Sequence, residues 1–357
     1  MFNPKYKLTN SIVQMLTDIA ESKAIIERAK ILPQHELKLR RQALIRMTHS
    51  STAIEGNRLN VNEVGLLLAQ KKIDAPQRDI YEVQNYLKAL KYIEKIVKSK
   101  QPITEKVLLN IHKLVTDKTL PEEQCGRYRK TAIFVVRQRQ GFPDEIVYTG
   151  PDAKRVPELC RNLLDWITES EKKEINPIIV AGIVHQEIAA IHPFSDGNGR
   201  TARALATLML YRLGYDFRRL FALEDYYNHD RQAYYKAIDI GDNYEKRRTD
   251  FTPWLEYFAK GFKEEINNVR STVAALSGRK INKNIKSQIF LSKDQMEILD
   301  LIGQIEKIAV KDVMDILKCP RRTAQFHLQK LKKLGMLKQI GKGPSSAYVA
   351  KQLTIKT

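Results

Sequence analysis

The chain has 357 residues, 43% of them apolar and 29% charged, enough for two or three globular domains with a sizeable core. No window approaches the run of about 18 apolar residues that a membrane span needs, and Met1-Phe-Asn-Pro-Lys5 lacks the apolar centre of a signal peptide, so a cytoplasmic protein with no membrane partner is the expectation. Net charge is +20, and the last stretch, Arg279 to Thr357, holds 17 Lys and Arg against 6 Asp and Glu, which points to a local basic module.

In chain order, residues 1–100 read as helical throughout, with helices expected around 11–28, 34–54, 61–69 and 78–97. The second of these ends at Ser51-Thr-Ala-Ile-Glu55-Gly56-Asn57, where Gly56 is the natural terminator and Ser51 and Glu55, four apart, share a face. Alone, that is a plain helix end with a solvated glutamate. Residues 101–268 form a second helical region broken by one stretch. Thr131 to Val136 is β-branched and apolar, Arg137 to Asp144 is polar with Gly141 and Pro143, and Glu145 to Tyr148 alternates, so a β-hairpin is expected. An isolated hairpin is marginal by itself and must lean on something.

Further on, Ala181 to Ile191 reads as a mostly apolar helix that Pro193 ends, because the residue before a proline avoids helical geometry. A second helix should start near Gly199 or Arg200, with Ala202, Leu205, Ala206, Leu208, Met209 and Leu213 as its apolar positions. Residues 269–288 are polar and lysine-rich, a linker, and residues 289–357 are the basic module. The cysteines Cys125, Cys160 and Cys319 are an odd, widely spaced set that suits reduced thiols. The fold class is all-α, a helical bundle with a hairpin flap followed by a small winged-helix domain.

Between the two central helices runs His192-Pro-Phe-Ser-Asp-Gly-Asn-Gly-Arg-Thr-Ala-Arg203. Gly197 and Gly199 let the backbone turn and leave N–H groups uncovered, and a helix N-terminus adds unpaired donors and partial positive charge, so an anion is expected there. Arg200 and Arg203 share a helix face and are able to take separate oxygens of a polyphosphate. Asp196 would repel a bare phosphate, but a Mg²⁺ held between carboxylate and phosphate oxygens removes the conflict. His192 is the group able to take a proton near neutral pH. A zinc-protease alternative from His185, Glu187 and His192 fails on spacing: the two histidines are two helical turns apart, roughly 10 Å along the axis.

The string resembles the full Fic-family signature HPFx[DE]GNGRxxR at every position. The resemblance implies transfer of AMP from ATP to a protein hydroxyl. His192 would deprotonate the target hydroxyl, Asp196 would hold Mg²⁺, Gly197, Asn198 and Gly199 would cradle the α-phosphate, and Arg200 and Arg203 would take the β- and γ-phosphates. Phe194 would anchor the loop. The hairpin, which follows a Gly-x-Tyr-Arg segment like Gly126-Arg-Tyr-Arg129, would be the flap that aligns a target strand and borders the nucleotide through Ile133 and Val136. Tyr234 and Tyr235 would line an adenine pocket, with core packing as the competing account. Ser51 to Gly56 resembles the inhibitory motif [ST]xxxE[GN], which implies that Glu55 pairs with Arg203 and keeps ATP in an unproductive pose. In some relatives the same glutamate positions a water that removes AMP, so a de-AMPylating hydrolase stays open as an alternative. The target would carry a Ser, Thr or Tyr hydroxyl, with this chain itself among the candidates, and related autoinhibited proteins often form homodimers.

The tail reads as three short amphipathic helices, Ser292 to Ile302, Val310 to Leu317 and Pro320 to Leu334, then two strands around a basic glycine-rich turn. That order resembles a winged helix-turn-helix, which implies DNA contacts from Arg321, Arg322, Thr323 and Gln325 and a phosphate contact from Lys342. A protein-docking module is the competing account. The rival for the whole chain is a DNA-binding transcriptional regulator whose Fic core serves as a nucleotide sensor; intact His192 speaks against it, since a sensor needs the anion cradle and no base.

Overall fold

The computed structural model describes residues 2–137, 145–277, 291–304, 307–341 and 346–350. Lys342 and the hairpin tip with Gly141 and Pro143 lie outside the described residues. By packing the chain divides into two units, Met1–Ala29 with Arg40–Ala274 and Lys30–Leu39 with Ala275–Thr357.

The architecture of the first unit follows from one mostly apolar segment that is buried on every side. Helix α7 (Pro177–Ile191) is buried along nearly its whole length, from Ile178 to Ile188 and again at Ala190 and Ile191. A helix that is apolar nearly all round belongs at the centre of a bundle, and α7 is covered by its neighbours. The other helices of this part of the chain are, in order, α1 (Asn10–Arg28), α2 (Pro33–Ile54), α3 (Val61–Leu68), α4 (Gln77–Ser99), α5 (Glu105–Thr116), α6 (Val156–Lys172), α8 (Asn198–Arg212), α9 (Leu223–His229), α10 (Arg231–Ile238) and α11 (Thr252–Ser277). Helices α6 and α8 pack on α7, and α4 and α5 pack on each other and on α8. Asn176 accepts from the Ile178 N–H at 2.9 Å and Pro177 takes the first helical position, so α7 starts four residues before Ala181. Residues 269–277 continue α11, because Val269 and Val273 face the core.

The hairpin is built from β1 (Phe134–Arg137) and β2 (Glu145–Thr149), antiparallel, with Phe134 opposite Thr149 and Val136 opposite Ile146 and a bulge between Val135 and Val136. The first strand starts three residues later than Thr131. The Thr131 carbonyl accepts from Arg129, and the Ile133 carbonyl from the Gly150 N–H. What the hairpin leans on is α7: the buried Tyr148 hydroxyl donates to the Ala190 carbonyl at 2.6 Å.

The second unit has α12 (Lys293–Gln304), β3 (Lys307–Ala309), α13 (Val310–Leu317), α14 (Arg321–Lys333), β4 (Leu337–Ile340) and β5 (Ala347–Ala350). The strands form an antiparallel sheet in the order β3-β5-β4. Its core joins Ile298, Ile302, Ile308, Val313, Leu328, Leu331, Leu337 and Tyr348, with Leu37 packed against it. Strand β3 was not expected; at three residues it is too short to show alternation, and it is defined by pairing to β5. Among the described residues, no helix is long and apolar enough to cross a membrane.

Where α11 crosses α7, Trp254 donates its indole N–H to the Gly182 carbonyl at 2.7 Å. A Cβ on Gly182 would lie 2.7 Å from Leu255 Cδ2 and 3.3 Å from Phe258 Cδ1, both in fully packed side chains. Gly182→Val is expected to destabilise the first unit by about 1–3 kcal/mol through overpacking, read as a lowered midpoint in chemical denaturation.

Candidate active site

The site is assembled where α7 ends and α8 begins. His192 caps α7 in the left-handed region, φ 48 and ψ 59, and its N–H donates to the Ile188 carbonyl at 3.1 Å. That turn swings the imidazole back over the helix end, with Nδ1 3.1 Å from the Ala189 carbonyl. A carbonyl accepts and never donates, so Nδ1 carries the hydrogen and Nε2 keeps a bare lone pair. Burial lowers the proton affinity of His192, against the opposing pull of the Ala189 carbonyl and of the Glu55 and Asp196 charges. A half-buried neutral imidazole with a lone pair on Nε2 is chemically able to accept a proton.

The loop after it is pinned from inside. Phe194 is fully buried, stacked on His112 with ring centroids 3.7 Å apart and planes 2° apart. Asn198 closes the turn on Phe194 from both sides: its Oδ1 accepts from the Phe194 N–H at 2.9 Å and its Nδ2 donates to the Phe194 carbonyl at 2.8 Å. Helix α8 therefore starts at Asn198, one residue before Gly199, with Gly197 at φ 75 as the residue that admits the chain. No side chain caps that N-terminus, so its free N–H groups are available to an anion. Of the two glycines only Gly197 takes the left-handed turn; Gly199 lies inside α8, where a Cβ would sit 2.2 Å from Glu55 Oε1 and require that side chain to shift.

His112 has no counterpart among the residues expected from the sequence. Its Nδ1 accepts from the Gly126 N–H at 2.9 Å, so its Nε2 carries the hydrogen and donates to the Asp196 carbonyl at 3.0 Å. Burial, helped by the Arg200 charge, lowers it to about 4. A lone histidine among apolar residues of a helix is ordinary core in a sequence, and nothing in the spacing singles it out.

The two signature arginines are both nearly fully buried. Arg203 gives Nη2 to Glu55 Oε1 at 2.7 Å and to the Ser51 carbonyl at 2.8 Å, and Nε to Ser51 Oγ at 2.9 Å. Burial would weaken this cation, but Glu55 outweighs it and holds Arg203 far above its ordinary value. Arg200 is less engaged: its ion contacts to Glu82 and Asp196 are each 3.5 Å long, and among the described residues its buried Nε has no hydrogen-bond partner. An unpaired donor on a buried cation is costly and favours an acceptor. Asp196, partly open, bonds the Gly197 N–H through Oδ1 and meets the exposed Arg78 at 3.3 Å through Oδ2. Glu82, Asn57 and Arg78 form a supporting network that the sequence did not flag; Asn57 donates to Glu82 at 2.9 Å and Arg78 reaches it at 3.2 Å.

The tyrosine pair is split by the structure. Tyr234 is buried in an aromatic cluster, stacked on Tyr227 at 4.7 Å with its hydroxyl 3.0 Å from His185 Nε2, so core packing accounts for it. Tyr235 is half exposed and donates to the Ile54 carbonyl at 3.1 Å, beside the end of α2. On the flap, Val136 is 42% exposed, whereas Ile133 is half-buried at the hairpin base. Helix α2 is held in place by Arg46, which pairs with Asp225 at 2.7 Å and Glu265 at 2.9 Å.

Helix N-terminus, buried arginines, partly open carboxylate and neutral imidazole lie together where α7 passes into α8, a candidate anion site beside a group able to take a proton. In comparison with known proteins, residues 102–210 match the Fic/DOC family. It is 29% identical over 239 residues to a protein adenylyltransferase Fic of Nematostella vectensis, covering 64% of this chain and 52% of that one. To protein adenylyltransferase fic-1 of Caenorhabditis elegans it is 28% identical over 260 residues, 70% of this chain and 46% of that one. The chain thus spans about half the length of the curated relatives it matches. Among solved structures, a Fic family protein from Desulfovibrio desulfuricans G20 aligns with a TM-score of 0.63 at 25% identity, over 98% of this chain and 99% of that one. Fic-1 from C. elegans shares the fold with a TM-score of 0.58 over 74% of this chain and 73% of that one, at 23% identity.

His112 also makes stability pH-dependent. A histidine lowered to about 4 in the folded chain, against an ordinary 6.5, adds stability that is fully present above pH 6.5 and is lost as pH falls towards 4. The loss amounts to about 3 kcal/mol at most. Denaturation at pH 7 and pH 4.5 should show the gap between wild type and His112→Gln narrowing at the lower pH.

Proposed function

We propose that this chain transfers AMP from ATP to a hydroxyl of a protein, with Glu55 as an internal brake. The observation that carries the reading is a bare His192 Nε2 in the same turn as an uncapped helix N-terminus flanked by Arg200 and Arg203. The target hydroxyl gives its proton to Nε2 while its oxygen bonds to the α-phosphorus; the bond from that phosphorus to the bridging oxygen breaks, and pyrophosphate leaves. The helix N-terminus takes the α-phosphate, Arg200 with its unpaired Nε takes a β-phosphate oxygen, and Arg203 takes the γ-phosphate once Glu55 has withdrawn. Positioning and charge neutralisation carry most of such a reaction.

The donor set suits Mg²⁺ bound together with a nucleotide: a single open carboxylate, Asp196, leaves the remaining positions to phosphate oxygens and water. Bound there, the ion would neutralise charge on the phosphates. In the resting arrangement Glu55 stands against Gly199 and Arg203, an internal anion at the place meant for an external one. Glu55→Gly is expected to raise AMP transfer or self-modification at least about tenfold, and His192→Ala in that background to abolish it, measured with labelled ATP and mass spectrometry of the products. Equal activity of wild type and Glu55→Gly would remove the brake.

A second reading concerns the tail. All six acidic residues of Arg279–Thr357 fall within residues 293–317, whereas α14 carries five basic residues and no acidic one. Arg321, Arg322 and Thr323 are exposed at the start of α14 and Gln325 is half-buried, while Ala324, Leu328 and Leu331 face the core. This segregated charge favours a winged-helix contact with duplex DNA over protein docking. If Arg322 meets a phosphate, Arg322→Ala should reduce the slope of log affinity against log salt by about 1 in a gel-shift titration. Absence of any salt-dependent DNA binding by the full chain would leave a protein-docking module.

A further inference from the structure

We propose that Arg129 is a positioning residue for His192, tying the base of the flap to the carbonyl of that histidine so that a segment laid along β1 and the imidazole that deprotonates it stay in register. The proposal rests on the reading of His192 as the base.

Arg129 is 5% exposed, and among the described residues its guanidinium forms no ion pair. It spends its donors on backbone carbonyls instead. Nε donates to His192 O at 2.8 Å, Nη1 to Thr131 O at 2.8 Å and Nη2 to Pro151 O at 2.6 Å, while its own N–H donates to Pro193 O at 3.0 Å. Thr131 precedes β1 and Pro151 follows β2, so two arms of the fork grip the two legs of the hairpin and the third grips the base. Gly150 makes room, because a Cβ there would lie 2.5 Å from Ile133 Cγ2 and 3.2 Å from Arg129 Nη2.

The carbonyls concerned are those a helix end leaves without partners. At the end of α7, Ala189 O is met by the His192 imidazole, Ala190 O by the Tyr148 hydroxyl and His192 O by Arg129. Two of these three partners come from the flap or its approach. The cation also sits at the negative end of the α7 dipole. A planar fork with fixed donor directions fills three acceptors at once, which an ammonium on a flexible stem does not reproduce. The guanidinium charge further lowers the proton affinity of the imidazole, keeping Nε2 free near neutral pH.

The test uses Arg129→Lys, Arg129→Gln and Tyr148→Phe in the full chain carrying Glu55→Gly. Expected is a fall in kcat for AMP transfer of about tenfold to a hundredfold for both Arg129 variants, with KM for ATP within about twofold of the parent. In NMR, the His192 titration midpoint should rise in Arg129→Gln, which loses the charge. It should stay in Arg129→Lys, which keeps the charge and loses the fork. The Nδ1-protonated tautomer should lose population in both. The NMR readout needs no turnover: if the Glu55→Gly protein transfers no AMP, the adenylylation reading fails, while an unchanged tautomer and midpoint in Arg129→Gln overturn the positioning role. If Arg129→Gln does not fold, parental kcat in both Arg129→Lys and Tyr148→Phe overturns it.

Discussion

The left-handed turn at His192 is the constraint on which the site depends. A non-glycine residue at φ 48 costs about 1 kcal/mol or more relative to continuing the helix, and it persists because the surroundings over-determine it. Pro193 bars helical continuation, the His192 N–H satisfies Ile188 O, and the imidazole satisfies Ala189 O. One backbone choice therefore ends α7, fixes the tautomer and sets the direction in which Nε2 faces. Phe194, one turn-residue further on, is then carried into the core, where His112 and Asn198 hold it from different sides. The strain at the turn is offset by burial of that ring and by hydrogen bonds that have no alternative partner in the interior.

The second organising element is the electrostatics of the α8 N-terminus. Two buried arginines, the partial positive charge of the helix and uncovered N–H groups make a region that is costly to leave without an anion. The chain supplies carboxylates of its own: Glu55 to Arg203, and Asp196 and Glu82, at longer range, to Arg200. The arrangement is uneven. Arg203 has three hydrogen bonds to residues 51 and 55, while Arg200 retains an unpaired Nε. Among the described residues the Arg200 side, next to Asp196, thus keeps unused donors while the Arg203 side is occupied by Glu55.

Much of this was legible in the sequence because the chemistry is local. His192 to Arg203 spans one turn and one helix start, and the glycines, asparagine and arginines there act on neighbours a few residues away. Apolar periodicity placed α1 to α4, α13 and α14 to within a residue or two of their ends for the same reason. What was hidden depends on long-range placement. His112 lies 84 residues from the carbonyl it holds, and Arg129 lies 63 residues from His192. Tyr234 illustrates the opposite error of locality: adjacent to Tyr235 in the chain, it points into an aromatic cluster with Tyr227 while its neighbour points out. Strand β3 exists only because β5 pairs with it.

Energetically, the pairing of Glu55 with Arg203 is better viewed as an exchange than as a lock. Removing one partner of a buried ion pair costs several kcal/mol when the other is left uncompensated, about 3–5 kcal/mol in typical cases. In the proposed exchange a triphosphate arriving as Glu55 leaves would restore a counter-charge to Arg203 and return most of that cost. Ser51 is the buried partner, and its hydroxyl and carbonyl hold the Arg203 side chain through bonds that do not involve the carboxylate. Glu55 differs in sitting just past the last residue of α2, with its side chain 31% exposed and Gly56 at φ 93 behind it. It is the exposed member of the trio, with water to receive its charge, so in the proposed exchange a small movement of the helix end would change the occupant of the site while leaving the arginine where it is.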